Sequence, residues 1–132
     1  MTRHAVLAIL GAALLAAVTI QAHHSQAAQY DRSKQLTIEG SIVQFQYRNP
    51  HSFLHVEAPD ESGQLVRWSI EWGGAAQLTM QGVERNSLKY GDVVTIVANP
   101  SRTPNDHKLQ IVSLRRKTDG FGWGFKPGQI VE

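Results

Sequence analysis

An all-β domain with one short helix is the fold class that this sequence predicts. Five stretches alternate apolar with polar residues or run rich in β-branched side chains, and their connections are built from Pro, Gly, Asn and Asp. Only Ala75 to Gln81 has the length and pattern of a helix between such stretches, with Leu78 turned inward and Gly82 as its stop.

The first strand runs from Leu36 to about Tyr47, and its alternation changes phase midway. Leu36, Ile38, Gly40 and Ile42 share one parity, while Val43, Phe45 and Tyr47 share the other. Side chains on a strand alternate faces, so one extra residue near Ser41-Ile42-Val43 is needed to keep both sets inside, and a bulge or bend beside Gly40 supplies it. Asn49-Pro50 then breaks the ladder, since proline has no N–H to give. The second strand, His51 to Ala58, sets Leu54 and Val56 on one face and His51, Phe53, His55 and Glu57 on the other. Pro59 to Gly63 forms a hairpin connection. The third strand, Leu65 to Trp72, turns Val66, Trp68, Ile70 and Trp72 inward and Arg67, Ser69 and Glu71 outward.

After the helix, Leu88-Lys89-Tyr90-Gly91-Asp92 turns into a fourth strand, Val93 to Ala98. It is apolar on both parities, the pattern of a strand buried on both sides. A polar loop with Pro100, Pro104 and Asn105-Asp106 leads to the fifth strand, Leu109 to Arg115. Three strands, a short helix and two strands is the order of a small five-stranded OB-like Greek-key barrel. An open β-sandwich of similar strand count is the competing architecture.

Outside this domain the chain divides into three parts. Residues 1 to 22 have the layout of a secretory signal peptide: Arg3, the sixteen uncharged and mostly apolar residues Ala5 to Ile20, and small Ala22 before the cut. The apolar run is shorter than the roughly 20 residues of a membrane-spanning helix, so the expectation is a periplasmic or secreted protein with no membrane span after cleavage. Residues 23 to 34 read as an extended polar arm, residues 35 to 117 as the β domain, and residues 118 to 132 as a Gly/aromatic tail. That tail either folds over a barrel edge or offers a strand to an envelope protein partner.

Of the 13 basic and 11 acidic residues, the leader takes away Arg3 and no acid, which leaves 12 against 11. That balance lacks the clustered positive charge expected of nucleic-acid binding. The absence of cysteine excludes disulfides, thiolate nucleophiles and zinc–thiolate sites.

His23-His24-Ser25, Tyr30-Asp31, Asn49-Pro50-His51-Ser52, Trp68 with Glu71, and Leu88 to Asp92 together resemble a family of bacterial exported proteins catalogued as domain of unknown function 6152. The resemblance runs from His23 to about Leu114. It implies export and a small β fold, and it carries no activity with it.

The chemistry on offer is that of binding. Cleavage after Ala22 would expose a terminal amine beside His23 and His24, a chelate suited to Cu(II), with an imidazole from His51 or His55 to complete it. The latter two share a strand face, but four residues of strand span roughly 13 Å, too far for both to hold one ion on a regular strand. The structural alternative is a terminal pair with only adventitious metal affinity. Phe53, Arg67 and Glu71 lie on the same face, the usual ligand platform of an OB fold, and are candidates for holding a small ligand. Glu57 and Arg67 read equally well as an ordinary cross-strand ion pair, Trp68 and Trp72 as core, and Arg115-Arg116-Lys117 as a solvated strand end. No nucleophile elbow, phosphate loop, metal-protease motif or paired carboxylates at helical spacing is present. The sequence therefore predicts a non-catalytic module for a small ligand or metal ion, copper above all. The alternatives are an interaction module for another envelope protein and a copper-dependent oxidative enzyme.

Overall fold

The computed structural model describes residues 27–124. Its strands are β1 (Leu36–Gln46), β2 (Phe53–Pro59), β3 (Leu65–Glu71), β4 (Val93–Pro100), β5 (Lys108–Arg116) and β6 (Gly122–Trp123), with helix α1 (Ala75–Met80) between β3 and β4. They bond in the order β3-β2-β1-β4-β5-β6, and β3 also pairs in parallel with β5. That pairing, Ser69 with Lys108 through Glu71 with Gln110, joins the two ends of the sheet. Five strands thus close into a mixed barrel of the expected order, and an open sandwich is excluded. β6 adds to the far half of β5, pairing Leu114 with Trp123 and Arg115 with Gly122.

The phase change in β1 has the predicted cause. The register with β2 slips between Ile42 and Gln44, so Val43 is the extra residue, and Ile42 before it and Phe45 after it both face the core. Gly40 matters here for space. A Cβ there would overlap the Glu57 carbonyl of β2, so glycine lets the strands cross closely. Gly63, by contrast, has φ 82° in the β2–β3 turn, where a side chain would be strained.

The interior holds Ile38, Ile42, Leu54, Val56, Ile70, Val94, Ile96, Leu109 and Leu114, joined by Leu78 of α1, Val83 and Leu88. Trp68 and Trp72 are buried with them. β4 departs from expectation. Val94, Ile96 and Ala98 are buried, but Thr95 and Val97 are half-buried and Val93 is exposed. Among the described residues no second layer covers that face, so the apolar residues of both parities reflect the fit of β-branched side chains to a pleated surface rather than burial on both sides. A second register slip, between Val97 and Ala98, then buries Ala98 and Asn99 consecutively.

The strand end 115–117 is also more than solvated charge. Arg116 is largely buried, donates to Asp92 Oδ2 at 2.8 Å and the Ser87 carbonyl at 2.7 Å, and pairs with Asp119 at 2.8 Å. These bonds hold Asp119 at a pKa of about 2 and push the guanidinium above its ordinary value. The clamp fixes the start of the tail, whose described part lies on the barrel: Trp123 meets the Trp72 ring edge-on at 5.0 Å and donates to Gln81 Oε1 at 2.9 Å. Among the described residues no helix is long and apolar enough to cross a membrane.

Candidate functional site

The corner between β1 and β2 delivers one histidine to a buried carboxylate. The Asn49-Pro50 bond is cis, and the neighbouring polar groups serve the backbone. Asn49 Oδ1 accepts from the Ala76 amide at 3.2 Å, and the buried Ser52 hydroxyl donates to the Arg48 carbonyl at 3.1 Å. The Ser52 amide and carbonyl bond Gly73 and Trp72, tying the corner to the end of β3. His51 is left to extend toward β3, where its Nδ1 lies 3.2 Å from Glu71 Oε1.

Glu71 has the outward parity of β3, yet it is only 8% exposed. What covers it is the arm. Tyr30, 1% exposed, donates its hydroxyl to Glu71 Oε2 at 2.6 Å. Burial, and then the bond to Glu71, push the Tyr30 phenol above its ordinary value, so the proton stays on tyrosine. The arm is laid down by backbone and side chain together: Tyr30 bridges Ser101, the Asp31 amide donates to the Pro100 carbonyl at 2.8 Å, and Arg32 Nε donates to Gln110 Oε1 at 3.3 Å. Residues 27–29 form a helical turn ahead of it. The described part of the predicted extended arm therefore belongs to the folded body.

Tyr30, Glu71 and His51 form a line of three across the β3–β5 seam, with its histidine end at a cleft of about 360 Å³. Arg32, His51, Glu71, Trp72, Gln77, Gln110 and Trp123 are among the residues lining it. Its volume suits a small ligand.

The remaining predicted residues sit along the neighbouring outer face. Phe53 pairs in register with Glu71 and lies under the Arg48 guanidinium at 5.3 Å. His55 pairs with Ser69, and its pKa is lowered by burial and then by Arg67 and Arg48. It is thus neutral at pH 7 but stands near two cations, a poor setting for a metal ion. Arg67 pairs with Glu57 at 3.2 Å, the bland reading of that pair. His51 and Glu71 are therefore brought together, while His55 and Arg67 belong to the flank. His23 and His24 lie outside the described residues. Among the described residues there is no group of three or more His, Cys, Asp or Glu able to hold a metal ion.

Sequence reasoning gave Tyr30 no role. The available signal was a lone aromatic in an otherwise polar arm, within a Tyr-Asp pair that the family resemblance already singled out.

Fold and site together define a small closed β-barrel that presents an oriented histidine at a cleft. Residues 12–110 match the family of unknown function DUF6152, and the chain belongs to that family. No curated protein and no solved structure matches it.

Proposed function

We propose that this protein is an exported, non-catalytic module that binds a metal ion, Cu(II) above all, or another small ligand at the His51 end of the barrel. The observation that carries this reading is the line that runs from buried Tyr30 and Glu71 to the partly exposed His51. A carboxylate on Nδ1 fixes an imidazole's tautomer and orientation, the arrangement that commonly stands behind a metal-ligating histidine. The fixed position of Tyr30 supplies the second argument. His23 is seven residues upstream, and with 27–29 helical this stretch covers up to roughly 18 Å. A terminus anchored through Tyr30, beside Glu71, is thus within reach of His51. Cleavage after Ala22 would then offer the terminal amine, His23 and His24, with His51 as the further nitrogen, a set suited to Cu(II).

Calorimetric titration of Cu(II), with Zn(II) for comparison, into mature protein beginning at His23 tests this. Cu(II) is expected to bind tighter than about 1 μM. His23→Ala and His51→Ala should each weaken it at least about tenfold, and Glu71→Gln by about 10–100-fold. Micromolar or weaker binding, unchanged in these variants, would remove the metal reading. Mass spectrometry of the exported protein showing a first residue other than His23 would remove the terminal chelate.

A further inference from the structure

One edge of β5 is paired at both ends and open in the middle. Its pairing with β3 stops at Gln110, and its pairing with β6 begins at Leu114. Among the described residues, Ile111, Val112 and Ser113 have no strand beside them on that edge. The cleft at His51 is this gap in the sheet, since Gln110 and Ile111 of β5, Trp123 of β6 and Glu71 of β3 all line it.

The chain that follows β6 is aimed into the gap. Gly122 lies opposite Arg115 and Trp123 opposite Leu114, so each further residue on this antiparallel course moves back along β5 toward Ser113, Val112 and Ile111. Gly124 shows that the course is kept to the last described residue. A Cβ there would overlap the Val112 carbonyl and crowd the Ser113 backbone, so the chain is still flush against β5 when it reaches the gap. The distance is short. From Leu114 to Gln110 is four residues of strand, roughly 13 Å, and the eight residues 125–132 cover up to about 26 Å when extended.

The walls also suit the segment that arrives. Phe121, Trp123 and Phe125 recur at period two, and the first two already pack against the core. Trp72, edge-on to Trp123 at 5.0 Å, and Ile111 offer the next aromatic an apolar surface that continues the β5–β6 contact.

We propose that residues 125–132 occupy this gap as a strap. The chain continues past Gly124 along the open edge of β5, Phe125 packs against Ile111 and the Trp72–Trp123 pair, and the segment walls the cleft at His51 on its β6 side. The copper reading plays no part in this placement, and no ion is added in its test, so either can fail alone.

The chain has no cysteine, so Gln129→Cys gives a single attachment point for a nitroxide. In amide NMR of the protein beginning at His23, the nitroxide should erase the signals of Gly73, Gly74 and Ile111 and spare those of Asp60 to Gly63, at the far end of β3. Adding Phe125→Asp should restore the lost signals, because a carboxylate is not buried against indoles without a partner. The barrel itself is not at risk, since among the described residues the core and the side chains packed on it extend no further than Trp123. Weak loss spread evenly over the protein, or loss that persists with Phe125→Asp, would overturn the strap. So would equal loss in an isotope-labelled copy mixed with a separate nitroxide-bearing one, which would place the segment on a second molecule.

Discussion

At one end of the β3–β5 seam, Glu71 is buried with the Tyr30 hydroxyl on one oxygen and His51 beside the other. At the other end, Trp68 is equally buried, and its indole N–H meets no acceptor among the described residues. The first end is finished by a segment 41 residues away in sequence, which binds arm to barrel. The second is finished only by its own turn and loop, whose carboxylates are largely spent on local backbone bonds. A charge left unmet in a low-dielectric setting costs far more than one neutral donor left unmet. The fold therefore commits an entire arm to Glu71 and leaves two neutral donors, the indoles of Trp68 and of Trp72 beside Glu71, unanswered among the described residues.

If that contrast is right, the arm is part of the fold's stability, and Tyr30→Ala is the largest single effect to expect. Truncating a fully buried aromatic costs about 3–5 kcal/mol, and here Glu71 also loses its donor. Urea denaturation should show that loss, with amides 27–34 exchanging freely with solvent. A cost below about 1 kcal/mol would mean that the arm merely rests on the barrel, and the contrast between the two ends would collapse.

Tyr30→Phe isolates the hydroxyl. A hydrogen bond to a charged group contributes about 1.5–3 kcal/mol, and that loss should appear at pH 7. The pH profile sharpens it. An unfolded tyrosine titrates near 10, whereas in the fold burial and Glu71 hold the Tyr30 proton to higher pH. Above pH 10 the unfolded chain therefore releases a proton that the folded one keeps, and the contribution, complete below pH 10, declines as pH rises. Denaturation measured from pH 7 to 11 should show the wild type losing this increment while the Phe variant does not, so their difference narrows.

The same contrast governs what could be read from the sequence. The bulge at Val43, the inward set of β2 and β3 and the Glu57–Arg67 pair follow from period-two alternation, a local property. His51 was legible as an exposed-face histidine beside a proline corner. Glu71 was legible only in parity, because its burial depends on Tyr30, which no spacing rule connects to it. Arg116 was hidden likewise, since its partners Asp92 and Ser87 come from the β4 approach. The cleft between the β2–β3 turn and the β4–β5 loop was invisible because these walls meet only when β3 and β5 pair in parallel. The error on β4 came from treating β-branched residues as buried ones. Their shape suits any pleated face, and nothing in the local pattern says whether a layer lies outside it.

The smallest expected effect lies at the locally built end. Asn105 is exposed with φ 59°, and among ordinary residues asparagine tolerates the left-handed region best, though still at some cost. Among the described residues no hydrogen bond of its side chain holds the loop, whereas Ser101 and Asp106 do so on either side. Asn105→Gly should therefore relieve the backbone without removing a tertiary contact, while also loosening the unfolded chain, which opposes the gain. The net change should be within about 0.5 kcal/mol, read as a shift of a few degrees at most in Tm. A loss above about 2 kcal/mol would show that the β4–β5 loop is as integral to stability as the Tyr30 arm. The cleft at that loop would then be a rigid part of the core rather than a locally built surface.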